Sequence, residues 1–209
     1  MDKDLKVNID LQLFAEIRNK CISIIQNMIL AGDGEFNLID SYFIGSVDKS
    51  CFLIDGMISA IKNMNSTVVG ILLRTQMDNC QRAFAITLVE DPHQFIKNIL
   101  EGSKISDLTD RNNKKMKDCY LKEKLGELDS RFKQVYDKAC NYIHFSIVGM
   151  LHTMNVSNAG KNTISFSIGK IRKEDIPVIE EGSLAFLHYT NLLCQIVESW
   201  ARRKRDILQ

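Results

Sequence analysis

Only two prolines, Pro92 and Pro177, punctuate the 209 residues of this chain. Proline inside a helix removes a backbone hydrogen bond and clashes with the preceding turn, so a chain this poor in it has room for long helices. Apolar spacing uses that room. Phe14, Ile17, Cys21, Ile24, Ile25 and Met28 fall on one helical face between about 10 and 31. "AGDGEFN" then supplies two glycines to stop the helix. Across about 40–64, Ile44, Val47, Cys51, Ile54, Ile58 and Ile61 alternate steps of three and four, which reads as an apolar bundle seam without polar interruption.

Asn65 and Ser66 offer turn and cap chemistry before a third helix from Thr67 to about Glu90. Asp91 as cap and Pro92 in the first helical position open a short helix to about Glu101. Residues 102–110 read as loop, 111–127 as a basic helical stretch, and about 129–154 as another long helix. "NVSNAGKN" at 155–162 has loop composition, and "TISFSIGKI" after it alternates Ile164, Phe166 and Ile168 with small residues. That is the one strand-like pattern, near 163–171, and a lone strand needs a mate. Asp175 and Pro177 open a last helix to about Asp206. The expected fold is one all-α domain over 1–209, an antiparallel bundle of four to five long helices with short additional ones.

A net charge of +1 gives no global steering toward nucleic acid or an anionic surface. The N-terminus lacks the apolar core of a signal peptide, and runs such as "VVGILL" are far short of the roughly 20 residues a membrane helix needs. The expectation is a cytoplasmic protein without membrane contact. Six cysteines are widely spaced with no C-x-x-C pair, and read as buried small hydrophobes.

Within the third helix, Thr67, Arg74, Asp78, Gln81 and Ala85 fall in one narrow sector with Arg82 at its edge, and nearly everything else is apolar. So narrow a polar row on so apolar a helix lines a seam or cleft. Arg74 and Asp78, one turn apart, suit either an ion pair that fixes register or an anion site oriented by the carboxylate. Farther on, "YDKACNYIHFS" places Tyr136 and Cys140 beside an apolar face, with Asp137, Asn141 and His144 at its polar border. A histidine there can titrate and still reach solvent. His144 suits either a border histidine bonded to a neighbour or, with Arg74 and Asp78, a catalytic group, with Tyr136, Asn141 and Arg82 as candidate substrate contacts. His188 has no carboxylate at ligand spacing, and His144 and His152 stand too far apart to share a metal. No metal ligand set, cofactor or nucleotide-loop motif is present in the sequence. Two basic clusters remain, Arg111, Lys114, Lys115, Lys117, Lys122 and Lys124, and "RRKR" at 202–205. They suit either phosphate tracking or, for the second, the dipole at a helix C-terminus.

A helix with Arg-x-x-x-Asp, here Arg74 and Asp78, followed by a helix with Tyr136, Cys140 and His144 at steps of four, resembles bacterial helical-bundle proteins grouped with the HEPN superfamily. The resemblance covers roughly 40–155. It implies an antiparallel, often dimeric bundle with a place in a toxin–antitoxin or antiphage module, where active members cleave RNA without metal. Such members carry arginine four to six residues before a histidine. No histidine in this chain follows an arginine at that spacing. Two functions are therefore expected to compete. One is an RNA-targeting defence protein, which if an enzyme is a metal-independent ribonuclease. The other is a non-catalytic interaction or oligomerisation protein. RNA, a second copy of the chain and a protein from the same operon are the expected partners.

Overall fold

The computed structural model describes residues 6–143, 154–157, 163–166 and 168–208. The fold is all-α. Its helices are α1 (Gln12–Leu30), α2 (Leu38–Lys62), α3 (Ser66–Ala85), α4 (Pro92–Leu100), α5 (Asp118–Leu128), α6 (Phe132–Ile143) and α7 (Asp175–Leu208), with a 3₁₀ turn at Ile105–Asp107. β1 (Met154–Ser157) pairs antiparallel with β2 (Thr163–Phe166) in the register Met154 opposite Phe166. The expected strand thus finds its mate in residues 154–157, part of which had loop composition. Beyond Phe166, the described residues 168–172 carry no strand.

Successive long helices alternate in direction because short turns join them. Tyr42, Ser46 and Ser50 of α2 meet Arg82, Asn79 and Gln76 of α3 in descending order, the mark of antiparallel packing. α7 departs from this alternation. Lys20 meets Asn191, Cys21 meets Cys194, and the Cys80 thiol donates to the Tyr189 carbonyl, so α7 lies parallel to both α1 and α3. Two glycines let helices close on α3. A methyl at Gly70 would overlap the Tyr142 ring of α6, and one at Gly182 of α7 would press to 2.7 Å from Val69.

The caps are local and legible. Asn37 and Asp40 form a reciprocal capping box on α2, each side chain accepting from the other's backbone N–H at 3.0 Å. Asp91 accepts from the Gln94 amide, and Pro92 occupies the first turn of α4.

Two sequence expectations change. The α2 seam is not apolar throughout. Ile54 and Ile61 are buried, but the buried line also runs through Ser46 and Ser50, while Ile44, Cys51 and Ile58 are only half-buried. The Ser50 hydroxyl donates to Gln76 Oε1 at 2.9 Å, and Asn79 Nδ2 donates to the Ser46 carbonyl at 2.7 Å. This buried polar layer discriminates one register of α2 on α3 from its neighbours.

The basic stretch 111–127 becomes helical only at Asp118. The reason is Asp110, 5% exposed, whose carboxylate accepts from the amides of Asn112 and Lys114 and from the Tyr120 hydroxyl at 2.6–2.9 Å. Those bonds hold 110–114 in a loop, with Asn113 at φ 60°. Burial works against the Asp110 charge, but Tyr120 and the amides outweigh it and hold its pKa below the ordinary value. Burial and the same bond push Tyr120 up to about 12.

Candidate functional site

Arg74 faces α6, as the narrow polar row predicts. It is 9% exposed, and its charge is paired with Asp78. Nη1 stands against Asp78 as an ion pair without hydrogen-bond alignment, Nη2 donates to the Tyr136 hydroxyl, and Nε donates to Cys140 Sγ at 3.3 Å. The guanidinium carbon lies 3.7 Å from the Tyr136 ring centroid, a cation–π stack. Tyr136 in turn donates to Asp78 Oδ1 at 3.1 Å, closing the triangle. Burial opposes the Arg74 charge, but Asp78 and Cys140 more than offset it and its pKa rises. Burial, reinforced by Asp78, also pushes the Tyr136 phenol up, so it stays a neutral donor.

The other cations around this seam are matched as well. Arg82, a predicted substrate contact, pairs with Asp118, and Lys122 pairs with Asp137 at 2.9 Å. Among the described residues, Arg74, Arg82 and Lys122 thus each face a carboxylate where α3, α5 and α6 meet. Asn141 lies exposed on α6. His144 and His152 lie outside the described residues, as do residues 144–153 of the helix expected to reach 154, and Met154 itself begins β1 instead of ending a helix. The structure therefore brings together Arg74, Asp78, Tyr136 and Cys140.

Members of the basic clusters are engaged in the same way, while Lys114, Lys115 and Lys117 stay exposed with no ion pair to a described residue. Lys124 pairs with Glu127 at 2.9 Å, and the Arg111 guanidinium donates to the carbonyls of Leu88 and Thr87. Lys204 turns inward. At 4% exposure its ammonium donates to Asp40 Oδ2 at 2.7 Å and to the Glu35 carbonyl at 2.5 Å, while Trp200 Nε1 donates to Asp40 Oδ1 at 2.9 Å. Of "RRKR", Arg202, Arg203 and Arg205 stay exposed. Helical rotation buries its third residue among α1, α2 and α7.

One constellation escaped the sequence reading. His188 of α7 meets Asp129, in the α5–α6 turn, with Nε2 and Oδ2 2.6 Å apart. Fifty-nine positions separate them, and nothing local in either segment announces the pairing. The imidazole is partly exposed, the carboxylate is mostly buried, and Arg131 Nε lies 3.8 Å from Asp129. An aromatic row joins this pair to the Arg74 seam: His188 packs edge-on to Tyr189, Tyr189 edge-on to Phe132, and Phe132 stacks on Tyr136.

The His188–Asp129 pair has a pH consequence. Burial works against ionisation of Asp129, but His188 and the Arg131 amide outweigh it, so its pKa lies below the ordinary value. A carboxylate with a depressed folded pKa contributes stability that is present above its unfolded pKa, about 3.9, and is lost as pH falls through the lower folded value. Urea midpoints measured downward from pH 5 should fall in the acid range, and less steeply in His188→Ala. An unchanged acid slope in that variant would show that His188 does not hold the carboxylate.

Among the described residues, no group of three or more His, Cys, Asp or Glu is placed to hold a metal ion. All six cysteines are free thiols, with Cys21, Cys80 and Cys194 buried as expected and Cys119 exposed. No helix among the described residues is long and apolar enough to cross a membrane. No family model, curated protein or solved structure matches this chain.

Proposed function

We propose that this chain is a non-catalytic helical interaction protein, in which the Arg74–Asp78–Tyr136 triangle locks α3 to α6 and self-association is part of the activity. One observation carries this reading: Arg74, Arg82 and Lys122, the part-buried cations where α3, α5 and α6 meet, are each already paired with a carboxylate. Metal-free cleavage of RNA needs an acid/base group and a cation free to offset charge developing on the phosphate. Here Arg74 donates to Asp78's partner Tyr136, to Cys140 and into the ion pair itself, with one-tenth of its surface open.

The competing reading is a HEPN-like RNA-targeting protein of a defence or toxin module, partnered by a protein from the same operon. It draws support from His188, an imidazole oriented by a mostly buried carboxylate beside Arg131, and from the matching positions of Arg74, Asp78, Tyr136 and Cys140. Incubating the purified full chain with total RNA in chelator separates the two. The interaction reading expects intact RNA from pH 5 to 8 and no gel retardation at low salt. Cleavage that resists chelator and disappears in Arg74→Ala, His144→Ala or His188→Ala would overturn it.

A further inference from the structure

The sequence suggests self-association on two grounds, an apolar surplus on α3 and a strand with no mate. Both are satisfied within one chain, since α3 is packed by α2, α6 and α7 and β2 pairs with β1. A different face remains unpartnered. The parallel ends of α1 and α7 enclose an open groove of about 430 Å³. Ile24, Ala31 and Ala201 are its floor, Asn27 and Leu30 stand on the α1 rim, and Glu198, Arg202 and Arg205 stand on the α7 rim.

Three observations say what covers it. The α7 rim charges are unmatched: no ion pair within 4 Å joins Glu198, Arg202 or Arg205 to any described residue, although Glu198 and Arg202 stand one turn apart. The pattern is also its own complement. Glu198, Ala201, Arg202 and Arg205 share one face of α7, and a two-fold axis passing between positions 201 and 202 carries position 198 onto 205 of the other copy. Beside the crossing point Ala201, only 7% exposed, forms the groove floor, and its small side chain leaves the space above it open to side chains of the other copy. Lastly, Leu30 at 71%, Phe36 at 59% and Leu38 at 40% exposure stand at this same end of the bundle. The groove alone is too small for a stable interface, which buries about 1,200–2,000 Å² in total; Leu30 lines it, and Phe36 and Leu38 add exposed apolar surface at the same end.

We propose that a second copy of this chain docks here. The C-terminal turns of the two α7 helices cross antiparallel, Glu198 of each copy meets Arg202 and Arg205 of the other, and Leu30 of each enters the groove opposite. This rests on the interaction reading and names its partner as the chain itself. Lys204 anchors the face from behind through Asp40, fixing the turn that carries Phe36 and Leu38 against α7.

Sedimentation equilibrium of the full chain, from sub-micromolar to high micromolar, tests it. Wild type should form a dimer. Glu198→Arg should weaken it by about tenfold or more, because it sets like charges against each other across the axis, and so should Arg202→Glu with Arg205→Glu. Mixing these two opposite variants should restore a heterodimer, because both halves of the interface then pair opposite charges. Leu30→Glu, at an exposed position that leaves folding intact, should also dissociate the dimer. A strict monomer at every concentration overturns the proposal, and so does a dimer indifferent to all these changes. A dimer indifferent to these changes overturns this face alone, a strict monomer also removes self-association from the interaction reading, and the RNA assay reads the non-catalytic part of that reading separately.

Discussion

Asp40→Ala should lower the unfolding free energy by about 3–5 kcal/mol, the range for stranding one member of a buried ion pair. Asp40 is fully buried and Lys204 is 4% exposed. Without the carboxylate, the ammonium keeps only the Glu35 carbonyl, and Trp200 Nε1 loses its acceptor. The Asn37 amide loses its capping-box partner as well, which alone typically costs on the order of 1 kcal/mol. Arg203→Ala, one residue from Lys204 but exposed, supplies the contrast and should cost within about 0.5 kcal/mol. Urea unfolding of the two variants measures both. Equal midpoints would mean that water reaches the pair and that Lys204 is not an internal anchor.

That contrast also shows how far the sequence can be read. Helix positions follow from spacing and cap chemistry, because both are local. Phe14, Cys21, Ile24 and Met28 of α1 are buried as their period predicts, and Asp91 and Pro92 start α4 where cap chemistry places them. Lys204 was misread because a run of four basic residues was weighed by composition. Its own period held the signal: Trp200 and Lys204, four residues apart, share the stripe that faces α2. Ser46, Ser50, Gln76 and Asn79 repeat the lesson, each pair three or four residues apart on facing helices.

Other features had no local signal to find. The His188–Asp129 pair depends on how α7 returns along the bundle, and the Asp110 loop on a tyrosine ten residues ahead. The helix expected from 111 fails because helical propensity is weak, typically a few tenths of a kcal/mol per residue, against three hydrogen bonds to one buried carboxylate. For the candidate site, the row Arg74–Asp78 and its α6 partners Tyr136 and Cys140 were visible as facing stripes. That the arginine would be consumed by them was not, since occupancy depends on distances that spacing cannot supply.

The two meanings of that row separate most cleanly in Asp78→Ala. Arginine stays charged at any accessible pH, so removing Asp78 leaves a permanent cation nine-tenths buried. The Tyr136 hydroxyl can still accept from it and Cys140 can still take Nε, but neither carries a countercharge. Breaking a buried pair costs about 3–5 kcal/mol. Asp78 itself is 31% exposed, so water reaches the open edge of the triangle and places the expected loss near the bottom of that range, at about 3 kcal/mol. Arg74→Met should cost far less, about 1 kcal/mol, because the carboxylate it releases is already part-exposed to solvent and the methionine can still cover the Tyr136 ring. This asymmetry belongs to a register lock. In an anion site the cation is held partly free, so Asp78→Ala would leave stability nearly unchanged and strengthen the binding of inorganic phosphate by removing a competing charge. Chemical denaturation and a phosphate titration on the same two variants therefore decide it. A loss under about 0.5 kcal/mol with tighter phosphate binding would convert the α3–α6 triangle from a lock into a site.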